Sequence, residues 1–124
     1  MIKILNHIYI LATILFTVYS QLVIRGEVVK AGSLPPDVLG KISFVANLFL
    51  NPWVLSSMFA TLLAGISWIL AMSRFEISYA YPWIGLNFVL MLFFGSVLFG
   101  ESISAAKIIG TLLVVAGILV IARG

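Results

Sequence analysis

Residues 52–72 read PWVLSSMFATLLAGISWILAM, a run without a charged side chain that follows Asn51 and closes on Ser73 and Arg74. A helix rises about 1.5 Å per residue, so roughly 20 apolar residues cross the hydrocarbon of a bilayer, and this run has that length. Its start is marked twice. The Asn51 side chain can accept from the free N–H groups of a first turn, and Pro52 suits the first helical position, where a missing N–H costs nothing. Working outward, three more stretches share this character. One covers residues 4–24 and is expected to continue as helix through 25–30; another covers 78–99; the last covers 105–122, with Ser102 or Ser104 as its cap. Short polar hinges, Ser73 to Glu76 and Gly100 to Ser102, separate the last three. The expectation is an all-α membrane protein, a single domain over residues 1–124 with four transmembrane helices.

Composition agrees. The chain has 124 residues, 63% hydrophobic and 9% charged, with a mean hydropathy of +1.24. A soluble domain of this size needs far more charge to cover its water-facing surface, and lipid removes that need. Without cysteine there is no disulfide framework or thiol chemistry. A net charge of +3 spread along the chain suits anionic lipid headgroups and is no nucleic-acid footprint. One histidine, no cysteine and no paired carboxylates leave no catalytic constellation, and neither a glycine-rich phosphate loop nor metal-ligand spacing occurs. No enzyme, cofactor or metal site is expected. Lys3 before an apolar run imitates a signal peptide, but residues 8–24 hold no small-x-small cleavage site and Gln21 and Arg25 follow, so a retained first helix is expected.

Residues 32–51 differ from the hinges. Gly32-Ser33-Leu34-Pro35-Pro36-Asp37 ends the first helix, because two prolines cannot continue it. Val38, Ile42, Val45 and Phe49 then recur at helical spacing, with Lys41, Ser43 and Asn47 elsewhere on the wheel. This pattern predicts a short amphipathic helix in the membrane interface, a packing collar in preference to a lateral gate, with access at Phe44 as the discriminating probe. Lys3, Arg74 and Arg123 fall on one side, and Arg25, Lys30, Lys41 and Lys107 on the other. Three cations against four do not fix orientation.

Polar groups at membrane depth are costly and each needs a reason. Thr13, Thr17, Ser20 and Gln21 share one helical face. Threonine and serine satisfy themselves on the carbonyl one turn back; Gln21 needs either an interhelical hydrogen bond or a polar cavity. Arg25, one turn on, either snorkels to the interface or offers its fork to a phosphate. Asn87, in mid-helix near Gly85, is an interhelical hydrogen-bond partner or a cavity ligand. Glu101, Lys107, Arg74 and Glu76 read as solvated interface charges, and His7 as an anchor at the first interface. Tyr79, Tyr81 and Trp83 suit the membrane–water boundary, while Trp68 lies deeper and can wall a cavity. Pro82 either breaks the ladder near the start of the third helix or falls in its tolerant first turn. In the fourth helix Gly110 and Gly117, seven apart with Ala106 a turn back, make a stripe of small residues that lets another helix approach closely, and an oligomer is the preferred reading.

The order of residues then resembles a known family. Ile108 through Ile121, Ile77-Ser78-Tyr79-Ala80-Tyr81-Pro82, Phe99-Gly100-Glu101 and Trp68 within Ser67-Trp68-Ile69-Leu70-Ala71 resemble the small multidrug resistance family of the drug/metabolite transporter superfamily. The likeness covers helix one and residues from about 60 to 124; residues 32–51 have no counterpart in the shortest members. Drug-exporting members carry a glutamate in helix one, where aligning Ile8-Tyr9 and Arg25 puts Thr17, which cannot titrate. Ser20-Gln21-Leu22 and Ala80-Tyr81-Pro82 followed by Leu86-Asn87-Phe88-Val89 are more similar to subunits that flip aminoarabinose linked to undecaprenyl phosphate, which also lack that glutamate. The resemblance implies a four-helix inner-membrane subunit, paired with itself or a similar chain, that moves a polyprenyl-phosphate-linked sugar between leaflets by alternating access. Thr17, Gln21 and Asn87 would line a polar path, Arg25 or Lys30 would engage the phosphate, Trp68 and Tyr81 would wall the cavity, and Gly110 and Gly117 would hold the dimer. The alternatives are an exporter of small cationic or polar compounds, using Glu27, Glu76 or Glu101, and a non-transporting assembly or regulatory subunit.

Overall fold

Apolar runs of bilayer length bounded by capping residues become helices throughout the computed structural model, which describes residues 2–124 with side chains from Leu5 onward. The side chain of Lys3, counted above among the cations of one end, lies outside the described residues. The helices are α1 (Ile2–Ala31), α2 (Val38–Phe49), α3 (Pro52–Met72), α4 (Ile77–Trp83), α5 (Leu86–Phe99) and α6 (Ala105–Arg123). Four stretches are long and apolar enough to cross a membrane: Leu5–Ala31, Pro52–Met72, Ile77–Phe99 and Ala105–Arg123. The chain is an integral, multi-pass membrane protein.

The expected caps form. Asn51 Oδ1 accepts from Trp53 N at 2.8 Å, with Pro52 at the first helical position. Asp37, not expected as a cap, also accepts from Gly40 N, at 2.9 Å, and starts α2. Of the two serines weighed for α6, Ser104 is the cap, accepting from Lys107 N at 3.2 Å. First-helix continuation past Arg25 also holds, since α1 runs to Ala31.

The third span differs from the single helix expected over 78–99. It is two helices, α4 and α5, joined through Ile84 and Gly85. Pro82 has no N–H to donate, and the chain past it tightens to i→i+3 bonds, Ile84 N to Tyr81 O at 2.9 Å and Gly85 N to Pro82 O at 2.8 Å. At Gly85 α6 also comes close: a Cβ there would lie 2.9 Å from both Pro82 O and Val114 Cγ1.

The tightest packing joins α1 to α3. Ser57, Ala60, Ala64, Ser67 and Ala71 of α3 are buried, a repeat of small residues spaced three and four apart. Against them α1 buries Ile10, Thr13, Ile14, Val18 and Ser20. Ile10, Ile14, Val18, Ala71 and Ala80 form the core cluster, with Trp68, Trp83 and Leu90 packed on it. By contrast α6 buries Ile118 alone among its residues. The α2 helix buries none. It turns Phe44 and Leu48, half-buried, toward the bundle and leaves Val38, Ile42, Val45 and Phe49 exposed.

Candidate functional site

The polar residues of α1, expected on one face, divide between two environments. Thr13 and Ser20 are buried in the seam with α3, where Thr13 Oγ1 donates to Tyr9 O at 2.8 Å and the Ser20 and Thr61 hydroxyls are 2.6 Å apart. Thr17 is half-buried, while Gln21 and Arg25 are exposed on the flank of the helix. Ser20 and Thr61 thus tie the two helices together, Thr13 bonds within its own helix, and Gln21 faces out of the single chain.

One end of the bundle gathers most of the charge. Arg25 Nη2 lies 3.2 Å from Glu101 Oε2, and the guanidinium also sits over the Phe99 ring, 6.0 Å from its centroid. Glu101 is therefore paired, where the sequence suggested a solvated charge. The turn into it is closed by Gly100 in the left-handed region, φ 67°, with Glu101 N donating to Gly95 O at 3.1 Å. Lys107 Nζ donates to Ser102 O at 2.8 Å. Deeper toward α3, Asn51 Nδ2 donates to Glu27 Oε2 at 3.0 Å, and Lys30 Nζ lies 3.8 Å from Glu27 Oε1. Glu27 is 9% exposed, the one buried carboxylate among the described residues. Asn51 thus caps α3 with its oxygen and holds Glu27 with its nitrogen.

The other end is aromatic. His7 Nε2 and the Tyr79 hydroxyl are 2.8 Å apart, with the Phe75 ring 4.8 Å and the Trp83 ring 5.9 Å from the imidazole. His7 is an anchor, as expected, fastening the start of α1 to α4. Between the ends, Trp68 and Tyr81 meet edge to face at 5.9 Å.

An open groove runs along α6. One cavity of about 450 Å³ lies at the charged end, lined by Glu101, Ser102, Lys107, Gly110 and the apolar side chains of α5 and α6. A second of about 620 Å³ continues toward the aromatic end, lined by Tyr81, Asn87 and Gly117 among others. Phe88, Met91 and Val114 line both. Asn87 Oδ1 and Trp83 Nε1 are buried without a hydrogen-bond partner. Nothing lies within 4 Å of a Cβ built on Gly110 or Gly117, so the small-residue stripe is unfilled by the chain's own side chains.

The structure thus brings Trp68 to Tyr81, and Tyr81 and Asn87 to one cavity, while Arg25 and Lys30 pair with separate carboxylates and Thr17 and Gln21 stay on α1 apart from both. Sequence reading missed the Glu27–Asn51 bond and the α3 seam. The spacing of Ser57, Ala60, Ala64, Ser67 and Ala71 was the available signal for the seam; the bond had none short of the fold.

No protein-family model matches the chain, and no solved structure matches it. Among curated proteins it is 34% identical over 73 residues to a chain of Pseudomonas aeruginosa (strain UCBPP-PA14) named as a probable 4-amino-4-deoxy-L-arabinose-phosphoundecaprenol flippase subunit ArnE, a stretch covering 59% of this chain and 64% of the relative. The like-named chain of Pseudomonas fluorescens (strain Pf0-1) is 32% identical over 68 residues, 55% of this chain and 60% of the relative. The match spans less than two thirds of these relatives' length. The resemblance to aminoarabinose–undecaprenyl phosphate flippase subunits holds over that stretch. The relatives carry a transporter's name, not an enzyme's, in keeping with the non-enzymatic reading of the residues. The four helical spans suit a protein embedded in a membrane.

Proposed function

We propose that this chain is one subunit of a flippase that moves a polyprenyl-phosphate-linked sugar, or a similar amphiphile, between leaflets by alternating access. The groove along α6 carries the reading, because it has the form of an amphiphile's site: apolar along α5 and α6, charged at the Arg25, Glu101 and Lys107 end. The names of the relatives supply the cargo class. In this mechanism Arg25, with its forked donors, or Lys30 engages the phosphate. Asn87 lines the path of the sugar, its unpartnered oxygen offering an acceptor to a hydroxyl or amine, while Thr17 and Gln21 lie on α1 apart from the groove. Tyr81 walls the cavity, with Trp68 packed edge to face against it. The open face of Gly110 and Gly117 receives a second four-helix chain, of the same or similar sequence.

Native mass spectrometry of the protein, purified gently from its own membranes, tests this. Co-purified polyprenyl-phosphate lipid, one per dimer, is the expected result. Bulk phospholipid alone, with dye binding that competes with protons, would favour an exporter of small cations. Glu27 is the observation behind that second reading, being the buried carboxylate such an exporter needs. Cationic-dye resistance that vanishes in Glu27→Gln would establish it.

A further inference from the structure

We propose that Glu101 and Arg25 form a headgroup site for a zwitterion, in which a phosphate–ammonium headgroup replaces the internal ion pair and the Glu101 carboxylate takes the ammonium. The proposal rests on the amphiphile reading above and adds the determinant of headgroup selectivity.

Glu101 is held in place before any ligand arrives. The left-handed Gly100 turns the chain, the Glu101 N–H closes onto Gly95 O, and the carboxylate folds back over α5. It lies so close that a Cβ on Gly95 would stand 2.7 Å from Oε1, so a side chain there would move the carboxylate aside. Gly95 is the one buried residue of α5. The carboxylate thus faces two ways: Oε2 meets Arg25, and the residue lines the charged mouth of the groove beside Ser102 and Lys107.

The pair is only half-covered, with side chains 54% and 43% exposed, so opening it costs little. What the opened pair can accept follows from charge. A headgroup with phosphate alone would satisfy Arg25 and leave Glu101 facing an anion. A phosphate–ammonium headgroup replaces both partners at once, giving the guanidinium its bidentate anion and the carboxylate a new cation, with no net charge added to the interface. Lys107 stays on the Ser102 carbonyl at the mouth of the same groove. Two sources share this chemistry: a lipid-linked aminosugar phosphate and phosphatidylethanolamine.

The test uses the full-length protein in nanodiscs and two probes: an undecaprenyl-phosphate-linked aminopentose, and the same lipid with hydroxyl in place of amine. The expected result is a preference for the amine of about five- to tenfold in the unsubstituted protein. That preference falls to near one in Glu101→Gln, with the hydroxyl lipid still bound, and is partly kept in Glu101→Asp. Gly95→Ala, which displaces the carboxylate without removing it, lowers the preference as well. If Glu101→Gln weakens both lipids equally, or leaves the preference intact, the pair is a clasp between α1 and the α5–α6 turn and the proposal fails. If the unsubstituted protein binds neither lipid, the flippase reading itself fails. A third arm compares phosphatidylethanolamine with phosphatidylglycerol. Discrimination found there alone and erased by Glu101→Gln upholds the zwitterion site, assigns it to bulk lipid and counts against the polyprenyl cargo.

Discussion

The α1–α3 seam and the α5–α6 groove are both built on small residues, yet one is closed and the other open. In the seam, alanines and serines at a three-four repeat meet the isoleucines, valine, threonine and serine of α1, and the Ser20 and Thr61 hydroxyls fasten the two helices at 2.6 Å. Along the groove, Gly110 and Gly117 meet nothing, and α6 is seated chiefly where Val114 and Ile118 reach Gly85. Lipid tails are as apolar as leucine, so helices in a bilayer are held by close packing and hydrogen bonds, not by escape from water. A small residue therefore stabilises only when a partner fills the space it leaves. The seam is the rigid half of the molecule, and the groove is the half left for something else to occupy.

That contrast can be broken most sharply inside the seam. Ala71 is 0% exposed, and Ala71→Phe should cost about 3 kcal/mol by overpacking, read as a lower unfolding midpoint in mixed micelles. Next comes the seat of α6: Gly85→Val drives a side chain into Val114 and the Pro82 carbonyl, with an expected loss of about 2 kcal/mol in the same assay. Asn51→Ala removes the α3 cap and the Glu27 partner together, at about 1–2 kcal/mol, and should loosen α2 as judged by protease access at Phe44. The smallest stability effect sharpens the comparison instead. Gly117→Leu should shift stability by less than about 0.5 kcal/mol, since no atom is near enough to clash, while native mass spectrometry shows dimer converted to monomer. A large stability loss there would mean that the chain folds only with its partner in place.

The spans, their caps and α2 were legible in the sequence because length, proline, asparagine and serine act locally. Asn51-Pro52 is a start signal in water or lipid alike. Which helix faces which was not legible, since hydrophobic patterning loses its meaning where every face is apolar; the buried Ala64 and the exposed Leu62 look equally at home in a span. The division of the third span was half legible, with Pro82 flagged but its consequence at Ile84 and Gly85 left open, because that depends on how the freed ladder finds i→i+3 partners. Of the candidate residues, Tyr81 and Asn87 were picked out by type and depth, and the structure puts both on one cavity. Arg25 with Glu101, and Glu27 with Asn51, required the chain to fold back on itself, and no spacing rule reaches across such separations.

The length of α1 carries a further meaning. Its 30 residues make a rod of about 45 Å, against roughly 30 Å of hydrocarbon, so a continuous stub bearing Arg25, Glu27 and Lys30 stands clear of the lipid tails. Glu101, by contrast, hangs from the end of α5, a separate and shorter element. Because α1 is packed along α3, a bilayer that thickens or thins tilts the two together against the broken span beside them. The distance from guanidinium to carboxylate is then set partly by the host membrane, and lipid composition becomes a dial on how tightly the molecule holds itself shut.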